Sequence, residues 1–369
     1  MSEIHGSSIN NSNGGVSESR LPPGLVHIGR SLVALAFAFA VGAIVMLIIG
    51  RNPIEAYSAL ITSSVGDKFS FGETLENTTP LIFTGLTLTM GFQARLFNLG
   101  AEGQLLMGAL TAAYVGVSFS APAPIHVAVA LLAGAIVGGL WSGIAGILLA
   151  FRGVHEVIST IMLNFVAFFF INYMVTGPMK EVTELDIPQT ARIAKSAMLP
   201  RIFLPSRLSA GFIVALFTAV AVWWLVMKTP LGYELRAVGR NPDAARQAGI
   251  RPRRITVLVM VLSGSIAGLG GAVIMTGLFQ RYQQGLNPGF GFTAIAVALL
   301  GRNTIPGVIL AAFLFGVLAQ GARGMQTIAD VPTDTILMIQ ALVIFFVSTP
   351  HLLSLFRRRK AAVAAEAEV

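Results

Sequence analysis

Six apolar runs, each close to the length of a membrane-spanning helix, constrain this chain more than any other feature. The runs are Ser31–Gly50, Ile125–Ala150, Val157–Gly177, Ala210–Met227, Ile255–Phe279 and Asp334–Pro350. A helix needs roughly 20 mostly apolar residues to cross a bilayer. Only 11% of the residues are charged, against about 25% in soluble domains, so a soluble fold lacks the polar surface to enclose such helices. The pattern predicts an all-α polytopic membrane protein.

Four shorter or more polar runs bring the predicted number of membrane crossings to ten. They are Thr79–Phe92, Gly103–Phe119, Gly291–Gly301 and Thr304–Gly321. Residues 1–24 are rich in Ser, Asn and Gly and predict a disordered cytoplasmic tail. The predicted transmembrane domain then covers residues 25–355, and residues 356–369 form a basic and then acidic cytoplasmic tail.

The distribution of Lys and Arg predicts the orientation of the chain. With ten crossings, the loops on the side of the two termini hold the larger share of basic residues, which places both termini in the cytoplasm. The net charge of +8 needs no nucleic-acid partner, because anionic lipid at the inner surface attracts such residues. Two long polar segments remain, residues 178–209 outside the membrane and residues 228–254 inside.

The inner segment, residues 228–254, contains the most specific local pattern. A first helix over Leu231–Val238 is expected to end at Gly239. A second, shorter helix is expected to begin at Pro242, with the side chain of Asn241 as its cap. Its other signals are Asp243 in the first turn and Gly249 after the last. A solvated connector does not require so many start and stop signals, so the segment predicts a docking element.

The motif Asp243-Ala-Ala-x-x-x-Gly249 resembles the Glu-Ala-Ala-x-x-x-Gly loop of ABC-importer permeases, with Asp in place of the first Glu. In that family the loop forms the coupling helix, which fits a groove on the ATPase subunit. The resemblance therefore implies ABC ATPase subunits as partners. The residues that it implies in coupling are Gly239, Asn241, Pro242, Asp243, Ala244, Ala245 and Gly249.

Two further segments look like the permeases of nucleoside importers, within the branched-chain amino acid and simple-sugar permease superfamily. They are Phe97-Asn-Leu-Gly-Ala-Glu-Gly-Gln-Leu-Leu-Met-Gly108 and His155-Glu-Val-Ile-Ser-Thr-Ile-Met-Leu-Asn164. The resemblance implies ten helices in two inverted halves and ATP-driven uptake of nucleosides, purines in particular, by alternating access. It also implies a second permease chain (a copy or a paralogue), an external substrate-binding protein and a place in the bacterial inner membrane.

Polar and aromatic side chains in the spans are the candidate substrate-path residues, because polar groups are costly in hydrocarbon. Glycines around Asn98, Glu102 and Gln104 predict an interrupted helix, of the kind that builds midplane sites in transporters. These three side chains either bind a polar solute or hold the break together, and a cap or inter-helix tie at the inner surface is a further alternative for Glu102. Asn164 needs a partner on another helix or on the solute. Phe165 and Phe292 can stack on a purine ring, although packing and lipid contact are commoner roles.

The chain lacks the sequence signatures of ATP hydrolysis and of metal binding. No Gly-x-x-x-x-Gly-Lys-Ser/Thr loop is present, so the energy must come from another polypeptide and the chain is predicted not to be an enzyme. The 5 His are scattered and Cys is absent, so neither a metal site nor a cofactor is expected. Two alternatives stay open: an ABC permease for a simple sugar or riboflavin, and a secondary transporter that works without ATP.

Overall fold

The computed structural model describes residues 23–182 and 187–348, and α-helices form most of this part of the chain. In chain order the helices are α1 Pro23–Ile48, α2 Pro53–Val65, α3 Lys68–Gln93, α4 Ala101–Ser118, α5 Ala123–Arg152, α6 Glu156–Thr176, α7 Gly211–Lys228, α8 Pro230–Arg240, α9 Pro242–Gln247, α10 Pro252–Ile274, α11 Phe290–Leu300, α12 Ile305–Ile328 and α13 Thr333–Ser348. Within the described ranges there are isolated β-bridges but no strand. The predicted all-helical class is confirmed for these residues, whereas the predicted tails lie almost entirely outside them.

Five helices are long and apolar enough to cross a membrane: α5, α6, α7, α12, and α10 together with the π-helical turn that continues it to Phe279. Shorter apolar helices are Leu35–Ile48 within α1, α11, and Asp334–Phe346 within α13. The chain is therefore a multi-pass membrane protein. The count of ten crossings, the two inverted halves and the orientation remain predictions. Following the predicted orientation, we call the end of the bundle with α8 and α9 the inner end and the opposite end the outer end.

Helix α3 differs most from its prediction. The hydropathy pattern indicated a short crossing over Thr79–Phe92, but the helix begins at Lys68 and ends at Gln93. Its outer half was missed because it is rich in Thr and contains Glu73 and Glu76. Helices α7, α10, α11 and α12 pack around α3, and most of its residues are buried. Since the helix faces protein rather than lipid, it tolerates polar side chains.

Four of the six buried threonines of α3 donate their hydroxyl groups to carbonyl oxygens of the same helix. Thr78 donates to the carbonyl oxygen of Thr74 at 2.7 Å, and Thr84 donates to that of Pro80 at 2.9 Å. Such bonds to the carbonyl one turn earlier let a polar residue lie inside a membrane bundle without an external partner. A polar central helix is thus compatible with the membrane.

Helices α5 and α10 approach each other closely along a row of glycines. A Cβ atom at Gly268 would lie 2.3 Å from the carbonyl oxygen of Gly134. Small residues at this spacing permit close backbone approach between membrane helices. The Gly-x-x-x-Gly pairs of the sequence, Gly134 with Gly138 and Gly264 with Gly268, therefore serve packing.

Candidate functional site

The inner segment, residues 228–254, begins with helix α8. This helix ends at Arg240, one residue after the predicted end at Gly239. Thr229 caps the helix by accepting a hydrogen bond from the amide of Gly232 at 3.1 Å. The helix continues through Gly239 to Arg240, so the prediction that Gly239 ends it was wrong. A glycine is needed there for a different reason: a Cβ atom would lie 2.5 Å from the carbonyl oxygen of Gln93. Helix α8 is thereby seated directly against the inner end of α3.

Helix α9 has the predicted start and stop. The Asn241 side-chain oxygen accepts from the amides of Asp243 at 3.0 Å and Ala244 at 3.1 Å, and Pro242 is the first helical residue. Gly249 follows the helix with φ of +84°, a left-handed conformation that suits glycine. This confirms the predicted local structure. The part of these residues in coupling stays a prediction.

Helix α9 presents most of its surface outward. Ala245 is buried at 4% exposure, and it anchors the helix to the bundle. Pro242, Asp243 and Ala244 are exposed, as is the capping Asn241. The result is a short capped helix that projects from the inner end, with small exposed side chains in its first turn and the larger exposed side chains of Arg246 and Gln247 at its end.

Farther into the bundle, Asn98 and Gln104 form a closed hydrogen-bond cluster in the break between α3 and α4. The Gln104 amide donates to the Asn98 side-chain oxygen at 2.8 Å, and the Asn98 amide donates to the Ser263 hydroxyl at 2.8 Å. Asn98 and Gln104 are almost fully buried. In this conformation their polar groups are satisfied inside the protein, and they connect the break to α10.

Asn164 joins α6 to the same break. Its side-chain oxygen accepts from the amide of Gly103 at 2.9 Å, and its amide donates to the carbonyl of Leu99 at 2.8 Å. The partner that this amide was expected to need is therefore the backbone of a neighbouring segment. Asn98, Gln104 and Asn164 thus form one structural unit, and their contact with solute remains a prediction.

Glu102 lies at the first turn of α4 and binds the start of α11. The carboxylate accepts from the amide of Gly289 at 3.0 Å and from that of Gly291 at 2.5 Å, and the side chain is buried. Unpaired amides and the helix dipole make the N-terminus of a helix a favourable place for a carboxylate. Glu102 therefore holds α11, a helix of 11 residues, against α4.

The two aromatic candidates do not join this cluster through any ring contact within the described residues. Phe165 is 55% exposed and Phe292 is 50% exposed. Exposed aromatic rings on a membrane bundle can meet lipid, a second chain or a solute, so the structure leaves their substrate-path role a prediction.

Sequence reasoning missed a charged cluster at the outer end of α3. Arg207 donates to the Glu73 carboxylate from its backbone amide at 2.8 Å and from its guanidinium at 2.6 Å. The guanidinium hydrogen bond to Glu73 raises the pKa of Arg207 above its ordinary value. Glu76 accepts from the amide of Ser209 at 2.9 Å. Together the two buried carboxylates fasten the segment Arg207–Ser209 to α3. Their spacing of three residues, just before an apolar run, was the available signal.

The described residues contain no group of three His, Asp or Glu side chains placed to hold a metal ion. The polar side chains that the fold brings together are therefore a hydrogen-bonded break, a capped turn and an outer charged cluster.

Residues 71–348 match the family described as the branched-chain amino acid transport system permease component. The guanosine ABC transporter permease of Bacillus subtilis is 41% identical over 89% of this chain and 94% of its own length. The nucleoside ABC transporter permease NupB of Lactococcus lactis is 37% identical over 91% of this chain and 95% of its own. The glucose ABC transporter permease of Haloferax volcanii is 36% identical over 94% and 92%.

A solved structure of a metal-chelate type ABC transporter in an inward-facing conformation covers 89% of this chain and 99% of that chain, with 15% identity and a TM-score of 0.43. This score is too low to establish a shared conformation. The family match covers most of the chain and the identities extend over nearly its whole length. The chain therefore belongs to the permease family of the branched-chain amino acid transport systems.

Proposed function

We propose that this chain is the permease subunit of an ATP-driven ABC importer that takes up nucleosides, purine nucleosides in particular, across the bacterial inner membrane. Relatives named for guanosine and for nucleosides are 41% and 37% identical to it over most of its length. A relative named for glucose is 36% identical, so a sugar is the alternative solute to test.

The observation that carries the coupling part of the proposal is the geometry of α9. The helix is fixed by the Asn241 cap and by buried Ala245, and the small exposed side chains of its first turn permit close approach by another protein. Gly239 brings α8 against the backbone at the inner end of α3. A push on α9 by ATPase subunits would thus reach the central helix of the bundle through α8.

The transport mechanism in this proposal is alternating access. A ligand or nucleotide shifts a conformational equilibrium only through unequal interaction with the two states, and ATP-bound ATPases supply that inequality at α9. We further propose that an external binding protein delivers the solute and that a second permease chain completes the cavity. In that cavity Asn98, Glu102, Gln104, Asn164, Phe165 and Phe292 border the path once the hydrogen bonds at the helix break rearrange.

The coupling part is tested with Ala244→Trp, because Ala244 is exposed on α9 and a large side chain there meets no part of this chain. The matched control is Ala123→Trp at the exposed start of α5, at the outer end. Each variant replaces the chromosomal copy in the native host, and uptake of labelled guanosine is measured at equal membrane abundance. Ala244→Trp should abolish uptake and the control should retain it. Undiminished uptake in Ala244→Trp would instead support the secondary transporter.

The solute part is tested in the same host with labelled guanosine, adenosine, ribose, glucose and riboflavin. Uptake of the two nucleosides that disappears on deletion of this chain supports the proposal. Deletion-sensitive uptake confined to a sugar or to riboflavin would overturn it, while leaving the ABC mechanism in place.

A further inference from the structure

A cavity of about 370 Å³ opens at the outer end of the chain, apart from the predicted substrate-path residues. The outer turns of α3, the segment from Leu278 to Leu286, and Arg323 of α12 line it, and Arg192 and Arg207 of the outer segment complete the wall. A volume of a few hundred cubic ångströms is typical of small-molecule sites. All of the lining side chains come from this chain.

The carboxylates of this cavity are already occupied, whereas several guanidinium donors are not. Glu73 and Glu76 accept from residues Arg207–Ser209. Arg323 donates to the side-chain oxygen of Gln320 at 3.3 Å, and Arg192 donates to that of Gln280. A guanidinium has five N–H donors in a rigid fork, so both arginines keep donors for a ligand. The cavity thus favours a ligand rich in hydrogen-bond acceptors.

The apolar part of the lining selects the shape of the ligand. Leu278, Phe279 and Leu286 line the cavity, and Phe279 is half-buried, so its ring is held by the protein. An aromatic ring stacks on flat heterocycles, and stacking of this kind tolerates different bases. Arginine pairs with two adjacent acceptors such as the O6 and N7 atoms of guanine. Adenine differs because it offers an amino donor at position 6 in place of the O6 acceptor.

We propose that this cavity is an outer binding site for nucleosides with a 6-oxopurine ring, such as guanosine and inosine. Arg323 and Arg192 donate to the ring acceptors, and Phe279 stacks on the ring. The proposal rests on the nucleoside function proposed above and narrows it. The lining segment from Leu278 to Leu286 is followed closely by Gly289 and Gly291, whose amides bind Glu102. A ligand in the cavity would therefore contact the segment that leads to the helix break.

The experiment measures KM and Vmax for guanosine, inosine and adenosine uptake in the native host. Arg323→Gln and Arg323→Lys should each raise KM for guanosine and inosine by at least about tenfold, with little change for adenosine or in Vmax. The lysine variant keeps the charge but loses the fork. Phe279→Leu should raise KM for all three nucleosides. The control is Arg201→Gln, an exposed arginine of the same outer segment outside the cavity lining.

Different outcomes overturn different parts. If Arg323→Lys behaves as wild type, or if guanosine 5′-monophosphate competes better than guanosine, the cavity is an anion site and the inference is wrong. If nucleoside uptake is present but no variant alters KM, the inference fails and the proposed function stands. If the wild-type host takes up no nucleoside through this chain, the proposed function itself fails. Should Arg323→Gln not reach the membrane, Arg323→Lys and Phe279→Leu decide the question.

Discussion

The outer end of α3 and the inner turn at α9 both present polar groups beside the membrane, but different forces hold them. At the outer end, a buried carboxylate meets a guanidinium that lies 134 residues away in sequence. At the inner turn, Asn241 caps amides two and three residues ahead. Contacts between distant residues build the first region, and contacts between near neighbours build the second.

This difference has an energetic consequence. A buried charge that loses its partner costs about 3–5 kcal/mol, because its desolvation is then no longer offset. A helix cap that loses its side chain costs about 1 kcal/mol, because water reaches the exposed amides. The outer cluster should therefore govern the stability of the chain, while the inner turn should govern its response to a partner.

The largest effect is expected from Arg207→Ala at the outer cluster. The Glu73 side chain is 3% exposed and would keep a carboxylate without its guanidinium. We expect the free energy of unfolding to fall by about 3 kcal/mol, near the lower end of the range for buried pairs, because the Arg207 side chain is itself 49% exposed. Denaturant unfolding of the purified chain in detergent measures the change.

Two variants make this prediction specific. Arg201→Ala removes an exposed arginine of the same segment and should change stability by less than about 0.5 kcal/mol. Adding Glu73→Gln to Arg207→Ala should recover much of the loss, because the buried group is then neutral. Equal stability of Arg207→Ala and Arg201→Ala would show that the ion pair does not fasten the outer segment.

An intermediate effect is expected from Gly239→Ala, where the inner element meets α3. The new Cβ atom would lie 2.5 Å from the Gln93 carbonyl oxygen and 2.9 Å from the Ala94 Cα atom, and backbone atoms cannot rotate away. Overpacking of this kind costs about 1–3 kcal/mol, and the better helix propensity of alanine offsets up to about 1 kcal/mol. We expect a net loss of about 1 kcal/mol in unfolding experiments.

Gly143→Ala is the matched control for this contact. Gly143 lies within α5, where the nearest atom to an added Cβ is a valine side-chain methyl at 3.0 Å. That methyl can shift, so stability should stay nearly unchanged. If Gly143→Ala instead lowers the free energy of unfolding more than Gly239→Ala does, the contact between α8 and α3 is not rigid.

Apolar helices were predictable from sequence, and the polar helix α3 was not. Helices α5, α6, α7 and α10 have enough apolar residues to be recognised by length alone, although the α10 span is 67% buried and the other three are at most 33% buried. Helix α3 meets other helices on most of its surface, so its polar residues lowered the hydropathy signal and hid its outer half. Hydropathy detects apolar side chains, so it finds a buried apolar helix such as α10 and misses the polar half of a buried helix such as α3.

The two polar regions also differ in how far the sequence predicted them. The cap, the proline and the glycine of α9 act within a few residues, so their spacing predicted the turn in detail. The pairing of Glu73 with Arg207 depends on how the outer segment folds back over the bundle, and no local pattern specifies that. Gly239 shows how local reasoning fails for a distant contact: its position suggested a helix end, whereas its actual role is a close approach to the distant residue Gln93.

The smallest effect on stability, and the sharpest test of the inner turn, comes from Asn241→Ala. The amides of Asp243 and Ala244 lose their acceptor, so the first turn of α9 should lose about 1 kcal/mol of local stability and fray. The free energy of global unfolding should stay nearly unchanged. Hydrogen exchange at these two amides should accelerate about fivefold, and guanosine uptake should fall.

The control is Asn241→Asp, which keeps a capping oxygen and should preserve both slow exchange at these amides and guanosine uptake. Faster exchange with normal uptake would show that the cap orders the turn without serving transport. Because the outer cluster is untouched in this variant, any loss of uptake at constant stability arises at the inner turn alone.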